Sequence, residues 1–237
     1  MAKAIARAGL CSRREAERWI VQGRVQVDGR VLTSAAVNVD LANEVLVDGR
    51  PLPAPEPMRL WRYYKPAGLV TTRRDPEGRP TVFDRLPMEQ RRLLTVGRLD
   101  LASEGLLLLT NDGGLKRHLE LPATGWLRRY RARVYGRVAP ERLASLADGV
   151  TIAGVRYGPI EARLDRRTGA NAWLIVGLRE GRNREARRVL EHLGLKVNRL
   201  IRTAYGPFQL GRLPPGAVAE VPSRVLADQL GDAHQRR

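Results

Sequence analysis

Three short segments hold the side chains best suited to chemistry. The first is Gly97-Arg-Leu-Asp100, which precedes a small polar turn, four leucines (Leu106 to Leu109) and a Thr-Asn-Asp-Gly stop ending at Gly113. Four apolar residues closed by Asn-Asp-Gly read as a short buried strand ending in a tight turn. Arg98 and Asp100 therefore sit on a loop leading into the core, where a scaffold can fix them. The residues alone leave two readings open, a chemically active carboxylate or a structural ion pair. The second segment is Trp126 to Gly136, where Arg128, Arg129, Arg131 and Arg133 surround Tyr130. Cations that track phosphates beside a ring able to stack on a base suit single-stranded nucleic acid; ordinary strand aromatics are the plainer alternative. The third is Glu180 to Arg188. There Asn183 is placed to cap a helix whose apolar positions are Ala186, Val189, Leu190 and Leu193, with Arg184, Arg187 and Arg188 projecting from the other side.

The rest of the chain limits what these segments can do. Its 237 residues suffice for one good-sized domain and a small one. The formal net charge of +17 points to a polyanionic partner, nucleic acid first. Arginine supplies 38 of the 42 basic residues, but a GC-rich genome gives the same bias, so the sign of the charge carries the inference. A single cysteine, Cys11, excludes an internal disulfide and a Cys-rich zinc site. No apolar run reaches the roughly 18 residues of a membrane span, and no secretory signal opens the chain, so a cytoplasmic location is expected. The G-x-S-x-G, H-E-x-x-H, P-loop and G-x-G-x-x-G patterns are absent. His118, His192 and His234 are scattered. Asp100 and Glu104 lack the sugar-binding aromatics a glycosidase pair needs.

Taken in order, residues 1–50 form a compact unit. Ser12-Arg-Arg-Glu15 is a capping-box pattern for a helix running to about Gln22, with Ala16, Trp19 and Ile20 inward and Arg14 and Arg18 outward. VQVDGRVL (25–32) and VLVDGRPL (45–52) each place Asp-Gly between strand formers, a hairpin signal. Seven basic residues face three acidic ones in the first thirty, which suits phosphate contact by Arg13, Arg14, Arg18 and Arg24. Residues 51–57 hold four prolines and read as an extended linker. A larger domain over 58–222 alternates short strands and helices, with strands expected at Arg59 to Lys65 and Leu69 to Thr72. A tail follows over 223–237, polar and frayed after about Leu230.

At the GRLD and GLLLLTNDG motifs the chain resembles the ribosomal RNA pseudouridine synthases of the RsuA/RluB/RluE/RluF branch. RRDPEGRPTVFDRLP (73–87) and NREARR (183–188) resemble the RluB subgroup. The segment AGLCSRREAERWIVQGRVQVDGRVL (8–32) resembles the alpha-L RNA-binding module of a small-subunit ribosomal protein. This implies an α+β fold: a small helix and hairpin RNA-binding module before a mainly antiparallel mixed-sheet catalytic domain. It implies isomerisation of uridine to pseudouridine in ribosomal RNA, first in 23S rRNA, with the 16S enzyme or a non-catalytic ribosome-assembly protein as alternatives.

The resemblance also assigns roles. Asp100 falls on the catalytic position, Tyr130 on the ring that packs against the target pyrimidine, and Arg187 on the cation that pairs with the carboxylate. Arg98 is placed to fill the space left by the base, and Arg128, Arg129 and Arg184 to contact RNA. Ala186 departs from the larger aliphatic residue usual in the family. The isomerisation gains and loses no atoms and needs no metal or cofactor. It needs a carboxylate nucleophile, at the anomeric carbon or at the pyrimidine ring. Confinement beside a uracil disfavours the ionised carboxylate, and an Arg partner counters this. Flipping the nucleotide out costs on the order of a few kcal/mol, and stacking on Tyr130 returns roughly 1–3. A monomer acting on ribosomal RNA, away from membranes, is the expected form.

Overall fold

The computed structural model describes residues 1–40 and 42–230. The frayed end expected after Leu230, and with it His234, lies outside them. The chain divides into two compact units, residues 1–58 with 111–113 and residues 59–110 with those from 114 onward.

In the first unit, helices α1 (Ala2–Arg7) and α2 (Arg13–Val21) precede a four-stranded sheet. Ser12 caps α2, its hydroxyl accepting from the Glu15 amide at 3.2 Å. Strands β1 (Val25–Val27), β2 (Arg30–Val31), β3 (Val45–Val47) and β4 (Arg50–Pro51) form two hairpins, joined through β1 and β3. Both Asp-Gly turns have positive φ at each residue, Asp28 and Gly29 in one, Asp48 and Gly49 in the other, the pairing such two-residue turns require. Ile5, Ala16, Ile20 and the inward valines of β1 and β3 make a small core, with Trp19 partly buried against it. Pro51 belongs to β4 rather than to a linker; it sits on an edge, where its missing N–H breaks no ladder.

The second unit is built on a nine-stranded sheet. In chain order come β5 (Leu60–Lys65), α3 (Val82–Arg85), β6 (Leu94–Val96), β7 (Ser103–Thr110), α4 (Gly113–Glu120) and β8 (Arg128–Tyr135). Next are α5 (Pro140–Ala144), the small hairpin β9 (Val150–Ile152) and β10 (Val155–Tyr157), then β11 (Glu161–Thr168) and β12 (Asn171–Leu178). The chain continues through α6 (Glu185–His192), β13 (Lys196–Tyr205), β14 (Phe208–Gln209), β15 (Val218–Glu220) and α7 (Ser223–Leu230). The main order is β11-β12-β8-β13-β7-β5-β15, antiparallel except for the parallel pair β13 and β7. The fold is α+β, with a small helix and antiparallel-sheet module and a larger, mainly antiparallel mixed sheet.

Leu106 to Leu109 are all fully buried, so β7 is covered on both faces, which accounts for its unbroken apolar run. On one face of the sheet Leu107, Leu109, Ala132, Val134, Leu174 and Val176 pack with residues of α3, α5 and α6. One expectation needs correction. Residues 69–72 form only an isolated bridge, Val70 to Thr81, because the chain turns away before a ladder can extend. Within the expected tail, residues 223–230 are helical, with Leu226 buried.

Candidate active site

A cleft of about 920 Å³ opens in the second unit, and Asp100, Tyr130, Arg98, Arg128 and Arg184 all line it. Residues up to 86 positions apart are thus brought to one place by the sheet order. Tyr130 is 9% exposed, and Asp100 is half-buried on the loop before β7. Among the described residues no side chain pairs with the Asp100 carboxylate.

The loop carrying Asp100 is pinned from several sides. Thr71 Oγ1 donates to the Leu99 carbonyl at 2.8 Å, and the Leu99 amide donates back to Thr71 Oγ1 at 3.2 Å. The Gly68 amide donates to the Leu101 carbonyl, and the Ser103 amide to that of Asp100. Beneath the loop lies Lys65, fully buried, whose ammonium donates to the carbonyls of Ser103 (2.7 Å), Pro66 (3.0 Å) and Asp100 (3.1 Å). Burial lowers the Lys65 pKa from 10.5 to about 8, with the charges of Asp100 and Glu104 opposing the fall. Arg202, 2% exposed, lines the cleft and donates through Nε to the Leu106 carbonyl at 2.7 Å. Its Nη2 is buried without a hydrogen-bond partner.

The first residues of β7 are fixed with equal care. Glu104 accepts from Arg199 Nε at 2.6 Å and Nη2 at 2.9 Å, and from the Tyr64 hydroxyl at 3.0 Å. Those bonds, Arg199 foremost, hold its carboxyl below the usual range. With both oxygens engaged, Glu104 is no partner for Asp100 in glycosidase chemistry. Gly105 permits the close parallel passage of β7 and β13. Its φ is +102°, and a Cβ there would stand 2.4 Å from the Arg202 carbonyl oxygen.

Other expected residues are placed differently. Arg187 is buried, and its Nη1 donates to the Val197 carbonyl at 2.9 Å; it makes no ion pair with Asp100. The helical spacing put it on the solvent side, but α6 lies against β13, so that side is partly covered as well. Asn183 does not cap α6. Arg184 occupies that position in the left-handed conformation, and the buried Glu185 carboxylate reaches back to the Arg182 amide at 2.8 Å. Burial, the larger influence, raises the Glu185 pKa. Arg128 is buried and committed, donating to the Arg179 carbonyl at 2.6 Å and the Tyr205 hydroxyl at 2.9 Å. Arg129 lies on the opposite face from Tyr130, because neighbouring strand residues point apart.

In the first unit, Arg13 pairs with Glu17 and Arg18 with Glu15 on the exposed face of α2. Arg24 is held by Asp48 in two bonds and stacks over Trp19 at 4.5 Å. Arg14 is exposed. Sequence reasoning missed Lys65, Glu185 and Arg202; a lone lysine, glutamate or arginine in a strand or helix gives no signal until the fold closes around it. Among the described residues no cluster of His, Cys, Asp or Glu could hold a metal ion, and no helix is long and apolar enough to cross a membrane.

Comparison with known proteins identifies the family. Residues 2–46 match the S4 domain, and residues 59–192 match the RNA pseudouridylate synthase family. An uncharacterized RNA pseudouridine synthase of Rickettsia bellii is 49% identical over 225 residues, covering 95% of this chain and 97% of the relative. The ribosomal large subunit pseudouridine synthase B of Yersinia pestis is 44% identical over 229 residues, covering 92% and 71%. A crystal structure of a pseudouridylate synthase superposes with a TM-score of 0.65 at 26% identity, covering 95% of this chain and 96% of the other. The chain belongs to the RNA pseudouridylate synthase family and joins that enzyme to an N-terminal RNA-binding S4 domain.

Proposed function

We propose that this RNA pseudouridine synthase isomerises uridine in 23S rRNA, with Asp100 as the nucleophile on an extruded nucleotide. The observation that carries the assignment of Asp100 is its position: an unpaired carboxylate on a tightly braced loop, sharing a cleft with a nearly buried tyrosine. The choice of RNA is supported by the large-subunit synthases named among its relatives and by the net charge of +17.

Each neighbour has a part that follows from its surroundings. Tyr130 offers its ring face to the extruded uracil, and Arg98, exposed at the rim, occupies the gap the base leaves. Arg184, exposed at the start of α6, meets a phosphate. Lys65 and Arg202 supply the positive field behind Asp100 that the resemblance assigned to Arg187. Arg187 acts at one remove: it ties α6, which brings Glu185 and Ala186 to the cleft, to β13, which brings Arg202. The bond from ribose to N1 breaks, the uracil turns, and the ribose is rejoined to C5; the C5 proton leaves and N1 gains one, with no net change in atoms or oxidation state. On the N-terminal unit, Arg13, Arg14 and Arg18 present charge to the RNA backbone; Arg24 acts chiefly in holding the β1–β3 sheet to Trp19.

The test is to map pseudouridines at single-nucleotide resolution in ribosomal RNA from cells with and without the chain. Loss of a site in 23S rRNA on deletion, restored by the wild-type chain and not by Asp100→Asn, is the expected result. Loss confined to 16S rRNA, or no loss in either, contradicts the reading.

A further inference from the structure

Strand β8 has a second charged side. Its alternation sends Arg129, Arg131, Arg133 and Tyr135 away from the cleft; all but the half-buried Arg131 are exposed. Neighbouring strands extend this outer face. The register opposes Arg166 to Trp173, Trp173 to Arg133 and Arg133 to Arg199 in one row across β11, β12, β8 and β13. An adjacent row runs Arg163, Ile175, Arg131 and Ile201. A hollow of about 660 Å³ is lined in part by Arg129, Arg131, Arg163 and Thr203.

Acidic residues answer only part of this charge. Arg131 pairs with Asp165 at 2.9 Å and lies 4.5 Å over the Trp173 ring, and Arg199 is taken by Glu104. Among the described residues, the side chains of Arg129, Arg133, Arg163, Arg166 and Lys196 have no partner. Arg133 stands directly opposite Arg199; Glu104 answers the Arg199 charge, which leaves the Arg133 charge unanswered beside like-charged neighbours, an arrangement that disfavours the sheet. A face that only has to meet water gains nothing from that arrangement. A polyanion relieves it. Residues two apart along a strand are about 6.7 Å apart, close to the interval between successive phosphates on an extended nucleic-acid strand. Tyr135, 53% exposed, stands at the end of β8 on the same face as a platform for a base.

We propose that the outer face of β8, β11 and β12 is a second RNA-binding track. It takes a single-stranded segment of the substrate RNA, with phosphates on Arg129, Arg133, Arg163 and Arg166 and a base on Tyr135. The track rests on the family's RNA substrate and not on the assignment to 23S rRNA. Because cleft and track lie on opposite faces of one sheet, a short hairpin engages one at a time, and only a longer or branched RNA engages both.

The test uses the full chain carrying Arg133→Gln, Arg163→Gln and Arg166→Gln together, titrated with a fluorescein-labelled transcript of ribosomal RNA and with labelled oligouridine at several salt concentrations. Thermal melting followed by circular dichroism reports on folding. The expected result is binding of both RNAs weakened roughly tenfold near physiological salt, with the slope of log K against log salt shallower by about 2. KM for the long transcript then rises by a similar factor while kcat holds. Unchanged affinity and slope in a folded variant would overturn the proposal and leave a merely solvated face. So would loss of binding to an acidic protein with RNA affinity intact, or a fall in kcat alone. The pseudouridine map decides the target RNA independently, so failure of the track and failure of the 23S assignment are separate results.

Discussion

The two faces of β8 carry cations of the same kind and use them in opposite ways. Toward the cleft, Arg128 is buried and spends its donors on the Arg179 carbonyl and the Tyr205 hydroxyl. Arg202 on the adjacent strand likewise holds the Leu106 carbonyl. Away from the cleft, Arg129 and Arg133 are exposed and have no partner among the described residues. A net charge of +17 is therefore not one surface. The inner arginines are fastenings of the site, and the outer ones remain available to a polyanion.

This contrast makes substitutions on the two sides diverge. The largest effect on stability is expected at Gly105→Ala, which puts a Cβ against the Arg202 backbone at a positive φ. Strain and overpacking together should destabilise the chain by about 3 kcal/mol or more, measured by urea denaturation. Arg187→Met comes next. It leaves the Val197 carbonyl without its donor, for a loss of about 1–3 kcal/mol, and activity should fall with stability. A fall in kcat with stability unchanged would return Arg187 to a direct partnership with Asp100.

Lys65 gives a prediction with a definite sign. Folding lowers its pKa from 10.5 to about 8, so between those values the unfolded chain binds the extra proton. Stability from this group therefore rises with pH across that window, while below about pH 8 the full cost of burying the charge remains. Activity should move the other way, because losing the proton removes a donor from the Asp100 loop and a positive charge from behind it. Melting temperature of the wild type relative to Lys65→Met, followed beside kcat from pH 7.5 to about 10.5, reads both. The smallest effect lies on the outer face. Arg133→Gln with Arg166→Gln should change the stability of the free protein by less than about 1 kcal/mol, because both side chains are exposed and neither has a partner among the described residues, whereas a larger destabilisation would show those arginines to be fastenings too.

Much of the fold was legible because it rests on local signals. The Asp-Gly turns, the capped α2 and the apolar run of β7 are each written in a few adjacent residues. The cleft was legible where a motif marked it, at Asp100, Tyr130 and Arg184. It was not legible at Lys65, Arg202 or Glu185, whose importance arises from burial against partners 35 to 104 positions away for the first two and, for Glu185, from a turn that places its carboxylate beneath Arg182. Arg128 and Arg129 looked equivalent in sequence because composition does not say which face of a strand a residue takes. The strand period does, once one residue of β8 is anchored in the cleft.

The central claim is that Asp100 performs the chemistry while the surrounding cations hold it and the RNA. Single-turnover conversion of uridine in a saturating 23S rRNA transcript, with affinity measured on the same RNA, tests this for the wild type and Asp100→Asn. The account predicts a rate lower by at least about a thousandfold, with affinity within about twofold and an unchanged melting curve. A variant that still converts uridine at a rate near the wild type would contradict it.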